Sequence, residues 1–186
     1  NYNTNGVLRA VSGMDGRELW TVTDVAYRTN PVGNIAVADI DGDGIVEIIA
    51  PKTSSGIIVF EHDGTFKWQS SVPGVVWGGP SVADLDGDGT PEIIVGRTVF
   101  NANGSLRWQG TSYIGDGGAG PLSVVADINL DGKPEVIAGG AAYSNTGQLL
   151  WQNATVGEGS VAIGNFNSDS YPEIAVVTRG RVFLLD

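Results

Sequence analysis

The 186-residue sequence contains no cysteine, so disulfide bonds and thiolate chemistry are excluded. It also lacks any apolar run near the ~20 residues that a membrane-spanning helix needs, and we expect no membrane insertion. Basic residues are scarce, with 10 Lys and Arg against 21 Asp and Glu. The resulting net charge of −11 argues against nucleic acid or an anionic membrane as a partner.

Groups for nucleophilic catalysis are also missing. The single histidine, His62, stands beside an Asp-Gly turn, and no Ser-His-Asp or Cys-His set can be assembled around it. Pairs of carboxylates, which a glycosidase requires, are present, but nearly all of them fall in four short loops. We therefore predict no catalytic residue and no enzymatic activity.

Glycine is abundant, at 28 residues, which is about twice its average share and favours strands joined by tight turns. Well over half of the acidic residues lie in one nine-residue pattern that recurs about every 38–45 residues. The four copies of this acidic loop are 39–47, 84–92, 127–135 and 165–173.

A second repeated pattern runs out of phase with the acidic loops. It consists of a turn with glycine followed, four residues later, by Trp20, Trp68, Trp108 or Trp151. In the first full period we predict strands at 34–40, 47–51, 57–61 and 65–69, with Asp63-Gly64 as a hairpin turn. Sustained helical periodicity is absent from the sequence.

Four antiparallel strands in each period predict an all-β fold, a β-propeller of four-stranded blades with about four blades in this chain. A sandwich would not need such regular periods, and solenoid coils are shorter. The chain 1–186 is predicted to be a single domain. Its repeats are approximately 33–70, 77–110, 119–152 and 158–186.

The N-terminal strands, within 7–23, do not belong to a complete repeat. They could complete the last blade and close a four-bladed ring. Alternatively, the chain is part of a larger propeller whose free edges pair in trans, since exposed strand edges recruit other strands. The second arrangement predicts a homo-oligomer or a head-to-tail polymer.

The acidic loops have the composition of calcium sites. Oxygen-bearing side chains at positions 1, 3, 5 and 9, with a backbone carbonyl at position 7, provide the hard ligands that Ca²⁺ prefers, whereas zinc would favour Cys or His. The predicted ligands are Asp39, Asp41, Asp43, Ile45 and Glu47; Asp84, Asp86, Asp88, Thr90 and Glu92; Asp127, Asn129, Asp131, Lys133 and Glu135; and Asn165, Asn167, Asp169, Tyr171 and Glu173.

These four sites are not predicted to be equal, because the number of charged ligands tunes calcium affinity. The first two loops have four carboxylates each, the third has three, and the fourth has only Asp169 and Glu173. We expect three calcium sites and a weaker fourth.

The acidic loops and their Gly-Pro lead-ins at Pro80 and Pro121 resemble FG-GAP (VCBS-type) repeats, which occur in integrin α-subunit propellers and in bacterial secreted proteins. The resemblance extends from about Gly33 to the end of the sequence. It implies a propeller whose calcium ions lie between the first two strands of each blade. It implies no ligand-binding residue, because this family binds its ligands outside these loops.

Together these features predict an extracellular or cell-surface structural scaffold stabilised by calcium. Two alternatives remain open, a carbohydrate-binding or adhesion module with a glycan or protein ligand, and a non-catalytic domain of a secreted polysaccharide-active enzyme. The four repeated tryptophans are expected to pack between blades. Trp77, Tyr27 and Tyr113 lie outside that register and are the candidates for a carbohydrate surface.

Overall fold

The computed structural model describes residues 6–70, 72, 78–118 and 120–186. These residues form β-strands and a single 3₁₀ turn at Val25–Tyr27, so the predicted all-β class is confirmed. No helix in the described part of the chain is long and apolar enough to cross a membrane.

The strands form a hairpin, three four-stranded sheets and one three-stranded sheet, and every pairing is antiparallel. The hairpin contains β1 (Arg9–Val11) and β2 (Glu18–Thr21). The first sheet contains β3 (Ala36–Ala38), β4 (Glu47–Pro51), β5 (Ile57–Phe60) and β6 (Phe66–Gln69). The second contains β7 (Ser81–Ala83), β8 (Glu92–Val95), β9 (Thr98–Phe100) and β10 (Leu106–Gln109). The third contains β11 (Val124–Ala126), β12 (Glu135–Ala138), β13 (Ala141–Tyr143) and β14 (Leu149–Gln152). The fourth contains β15 (Ser160–Gly164), β16 (Glu173–Thr178) and β17 (Arg181–Leu185).

Within each sheet, neighbours in sequence are neighbours in space, as predicted from the repeat. Strand β3 is shorter than the strand predicted at 34–40, because the residues on either side of it form hydrogen bonds outside the sheet. The backbone N–H of Asn34 donates to the carbonyl of Gly78, at 2.8 Å. The N–H of Ile40 donates to the side chain of Glu47, also at 2.8 Å.

An apolar layer fills the space between each sheet and the next. Ile57 and Val59 of β5 pack with Ile93 of the second sheet, whereas Ile58 and Phe60 of the same strand face the hairpin side. Similar clusters join the second sheet to the third and the third to the fourth. The central strands are therefore buried on both faces, which explains their continuous apolar sequences.

The repeated tryptophans take part in this stacking. A Cβ atom placed on Gly64 would lie 2.8 Å from Cε3 of Trp20, and a Cβ on Gly104 would lie 2.6 Å from Cε3 of Trp68. Gly147 stands in the same relation to Trp108. Trp20, Trp68 and Trp108 thus each cover the next hairpin turn along the chain, where only glycine leaves room for the ring.

The first strands of successive sheets also lie beside one another, with β3 next to β7, β7 next to β11 and β11 next to β15. At the N-terminal end, β2 pairs with β1 and not with β17. The alternative in which this strand completes the last sheet is therefore not the pairing in this structure. Within the described residues, β17 is paired on one side only, with β16.

The connector between the second and third sheets is held by a carboxylate. Glu158 accepts hydrogen bonds from the backbone N–H groups of Ile114, Gly115 and Asp116, at 2.9–3.1 Å. Because Glu158 follows the third sheet, this contact fixes the connectors on either side of that sheet to each other.

Candidate metal centre

Each acidic loop connects the first and second strands of its sheet, and in the three four-stranded sheets the fourth strand returns beside it. In the first two loops, glycines at the fourth and sixth positions adopt positive φ, for example 78° at Gly42 and 86° at Gly44. Leu130 adopts a φ of 60° at the fourth position of the third loop, so this loop follows a similar path without glycine there.

The aspartate at the first position organises the turn. The two carboxylate oxygens of Asp39 accept hydrogen bonds from the N–H groups of Gly42 and Gly44, at 2.7 and 2.9 Å, and Asp84 has the equivalent bonds. Asp127 is used similarly in the third loop. Asn165 has only one oxygen, and its amide instead donates to the carbonyl of Asp169, at 2.8 Å. The fourth loop is therefore built differently at its first position.

The fifth position has the same role in all four loops. Its aspartate accepts a hydrogen bond from the N–H of the seventh residue, at 2.7–2.9 Å. The seventh residues are those predicted to offer a carbonyl ligand, and that role stays a prediction. The four pairs are Asp43 with Ile45, Asp88 with Thr90, Asp131 with Lys133, and Asp169 with Tyr171.

The carboxylates converge in three of the four loops. One oxygen from each member of a group of three lies within 4.8 Å of the other two. These groups are Asp39, Asp41 and Asp43; Asp84, Asp86 and Glu92; and Asp169, Glu173 and Asp186. The structure thus brings together many, but not all, of the side chains that the sequence predicted as ligands.

The glutamate at the ninth position is buried in every loop, with at most 3 % of its surface exposed. In each loop, Oε2 accepts a hydrogen bond from the backbone N–H of the second residue, at 2.5–3.0 Å. This bond ties the loop to the start of the second strand. Burial raises the pKa of three of these side chains, Glu47, Glu92 and Glu135, above the ordinary glutamate value.

In the first two loops, a cation from the fourth strand approaches the same glutamate. Nζ of Lys67 lies 2.7 Å from Asp41, 2.8 Å from Glu61 and 3.4 Å from Oε1 of Glu47. Its hydrogen bond lowers the pKa of Asp41. Although partial burial opposes the effect, these acidic partners raise the pKa of Lys67 above the ordinary lysine value. Lys67 therefore carries its positive charge inside the candidate site.

Arg107 has the equivalent place in the second loop. Its guanidinium donates to Glu92 at 2.6 Å and also to Asp86. The hydrogen bond to Arg107 lowers the pKa of Asp86, and the bond to Asp86 in turn raises the pKa of Arg107. The carboxylate oxygens of both loops are thus shared between backbone N–H groups and a side-chain cation.

The third and fourth loops use a neutral donor in place of the cation. Nδ2 of Asn129 donates to Oε1 of Glu135 at 3.1 Å, and Nδ2 of Asn167 donates to Oε1 of Glu173. The residue of the third sheet that corresponds to Lys67 is Leu150, which immediately precedes Trp151. No described residue supplies a fourth strand beside the fourth loop.

Sequence reasoning missed Asp186. It follows β17 directly, as Glu61 follows β5, and this register places it beside Glu173. It also missed Lys67 and Arg107, although both precede a repeated tryptophan. Their position before the tryptophan was the available signal.

The arrangement fits a hard divalent cation. Carboxylate oxygens within 4.8 Å of one another match the spacing around a single calcium ion, whose oxygen ligands lie at about 2.3–2.6 Å. A calcium ion would add positive charge where these carboxylates cluster. Asp39, Asp41 and Asp43 would hold it in the first loop.

The part of the chain that matches a known family contains acidic loops. Residues 39–95, which contain the first two acidic loops and the hairpin between them, match the FG-GAP-like repeat family. A search of curated protein sequences gave no match.

Several solved structures resemble the chain. The V. cholerae biofilm matrix protein Bap1 superimposes with a TM-score of 0.78 and 32% identity over 95% of this chain. The exotype rhamnogalacturonan lyase YesX (TM-score 0.67, 18% identity, 100% of this chain) and the Bacillus licheniformis rhamnogalacturonan lyase PL11 (0.61, 19%, 94%) share the fold.

The chain corresponds to only 29%, 42% and 36% of the lengths of these three proteins, respectively. The match to the repeat family and the position of the acidic loops lead to the same assignment: the chain contains an FG-GAP-like repeat over residues 39–95.

Proposed function

We propose that this chain is a calcium-stabilised β-propeller module that acts as an extracellular structural scaffold. The propeller arrangement is supported by the succession of antiparallel sheets, by the apolar layers between them and by the first strands lying side by side. These features repeat along the chain, so one packing mode is used from sheet to sheet.

The observation that carries the calcium proposal is the convergence of carboxylates in the first loop. Asp39, Asp41 and Asp43 bring three negative charges within 4.8 Å, and Lys67 is the one basic residue of the described chain that forms an ion pair with them. The chain as a whole has a net charge of −11. A bound divalent ion would relieve this repulsion in the folded state only, and it would therefore stabilise the fold.

The scaffold role and extracellular location are supported by the similarity to a biofilm matrix protein at 32% identity over 95% of this chain. The likeness to the two lyases, at 18% and 19% identity, concerns the fold alone. The absence of an enzymatic role remains our proposal. It is supported by the use of the loop carboxylates in hydrogen bonds that shape the loops.

Thermal unfolding in millimolar calcium and in excess chelator tests this function. A site occupied at a hundred times its dissociation constant adds about 2.7 kcal/mol. For a domain of this size, each site should therefore raise Tm by about 5–11 °C. Magnesium at the same concentration should give a smaller rise, because it prefers fewer protein ligands. Equal Tm values with calcium and chelator would refute the proposal.

A second candidate function is self-association, and a specific surface favours it. Beside Trp151, a cavity of about 360 Å³ is lined by Leu184, Leu185 and Asp186. In the other sheets, the equivalent tryptophan is covered by a turn glycine, whereas Gly16 has open space where its Cβ would lie. We propose that β2 of a second copy pairs with β17 and places its Gly16 against Trp151.

Light scattering during size-exclusion chromatography tests the association. The substitution Leu184→Lys should reduce the particle mass, because Leu184 lies on β17, which is paired on one side only within the described residues, and has 55% of its surface exposed. Val25→Lys is the control, since Val25 is equally apolar and 78% exposed but lies on the 3₁₀ turn. Monomers alone at high protein and calcium concentrations would exclude the assembly.

The carbohydrate-binding alternative receives less support from its predicted residues. Tyr27 stacks on Phe66 with ring centroids 4.2 Å apart, so one face of its ring is covered. Tyr113 packs against the apolar cluster between the second and third sheets. Trp77 lies outside the described residues.

A further inference from the structure

The buried glutamates pose the same hydrogen-bonding problem in every loop. One oxygen accepts the backbone N–H of the second loop residue, which leaves Oε1 in need of a donor. A buried acceptor without a partner is costly, and a buried carboxylate especially so. Each loop must therefore bring a second donor to this atom.

The chain supplies that donor in two ways. Where the third loop residue is aspartate, as at Asp41 and Asp86, the fourth strand carries Lys67 or Arg107. Where the third residue is Asn129, its own amide donates and the fourth strand carries a leucine.

The charges explain why these residues occur together. Aspartate has no N–H to donate and would face the buried glutamate with like charge, so it requires the cation between them. Asparagine donates to the glutamate directly, and a lysine opposite it would lose one of its acidic partners. An aspartate with a leucine opposite would leave the glutamate oxygen unpaired beside a second negative charge.

We infer that the third loop residue and the fourth-strand residue before the tryptophan form an exchangeable pair that positions the buried glutamate. Lys67 and Arg107 are then built-in counter-ions, and the first two loops hold their shape in the absence of a divalent ion. The same cations oppose calcium entering these loops, because they lie against the carboxylates that would bind it. This last consequence rests on the proposed calcium function, whereas the pairing itself does not.

The pairing is tested by a double-mutant cycle in metal-free protein. Lys67→Leu should lower Tm by about 5 °C or more, since it leaves Glu47 with an unpaired oxygen. In the Asp41→Asn background the same substitution should cost much less, because the asparagine takes over the bond. The control Arg17→Leu removes a charge whose ion pair among the described residues is with exposed Asp15, at 3.4 Å, and it should change Tm little.

The third loop gives the reciprocal test. Asn129→Asp should lower the Tm of the metal-free protein, and the additional change Leu150→Lys should restore most of the loss. If the Tm changes of the two single variants simply add up in the double variant, in both cycles, the inference is overturned. Both cycles are measured in metal-free protein, so they do not depend on calcium binding. If the wild-type protein failed to respond to calcium, the proposed function would be refuted, but the two cycles would still test the pairing.

Calcium titration of the Lys67→Leu variant provides the second readout. Removal of the positive charge that lies 2.7 Å from Asp41, a candidate calcium ligand, should strengthen binding at the first loop by about tenfold. Unchanged or weaker affinity would contradict the role of Lys67 as a counter-ion that competes with calcium.

Discussion

The contact between a tryptophan and the glycine of the next sheet gives a quantitative test of how the sheets stack. In Gly104→Ala, the new Cβ would lie 2.6 Å from Cε3 of Trp68, at a φ of +84°. The positive φ costs about 1–2 kcal/mol for a residue with a Cβ. Displacement of the ring adds about 1–3 kcal/mol, as is typical of overpacking.

Gly16→Ala is the matched control. Gly16 also precedes the second strand of a hairpin, β2, and has a φ of +72°, but nothing lies within 4 Å of the position of its Cβ. In the monomeric protein, this substitution should therefore incur only the backbone cost. The free energy of unfolding of Gly104→Ala should be lower than that of Gly16→Ala by about 1–3 kcal/mol, which corresponds to a Tm lower by about 2–12 °C. Equal losses in thermal unfolding experiments would refute the proposed packing role of the tryptophan.

Three further predictions concern the site and its surroundings. First, metal-free protein should lose stability as the pH rises above about 4.3, because burial raises the pKa values of Glu47, Glu92 and Glu135, and the stabilising protonation of these three side chains is lost as the pH rises through those values. The protein should also lose stability as the pH falls below about 3.9, because Asp41 and Asp86 have lowered pKa values and stabilise the fold only while they are ionised. Unfolding curves measured across this pH range should therefore show a stability maximum near pH 4. Second, Asp186→Asn should weaken one calcium site by about tenfold and leave the others unchanged in calorimetry, and four unaltered sites would contradict its assignment to the fourth loop. Third, Tyr143→Phe should lower the free energy of unfolding by about 1–3 kcal/mol in denaturant titrations, because the buried hydroxyl accepts the N–H of Ser112 at 2.8 Å; an unchanged midpoint would mean that this bond adds no stability.

The sequence predicted those features that depend on residues close together in the chain. A turn glycine and a short apolar run specify a hairpin, and this hairpin recurs with the same spacing from the tryptophan. The bonds from the fifth-position aspartates to the N–H two residues later are equally local. For this reason the order of the strands and the position of the acidic loops could be predicted without a structure.

The tertiary structure alone decided how the loops are neutralised. Asp41 and Lys67 are 26 residues apart, and they meet because the antiparallel register of the first sheet returns β6 beside the loop. Asp186 joins Glu173 for a similar reason, since β16 and β17 pair in register up to that point. A count of carboxylates along the sequence includes neither the cation beside Asp41 nor the carboxylate of Asp186. The predicted calcium affinity of the fourth loop was therefore based on Asp169 and Glu173 alone.

The sequence by itself therefore determined the repeat, the all-β class and the acidic loops, because each is encoded within a few consecutive residues. Only the tertiary structure decided that Lys67 and Arg107 reach the buried glutamates of the first two loops, and which glycine lies beneath Trp20, Trp68 and Trp108. These contacts join residues that are distant in sequence. They depend on strand register and on the stacking of whole sheets, and short sequence patterns do not encode either.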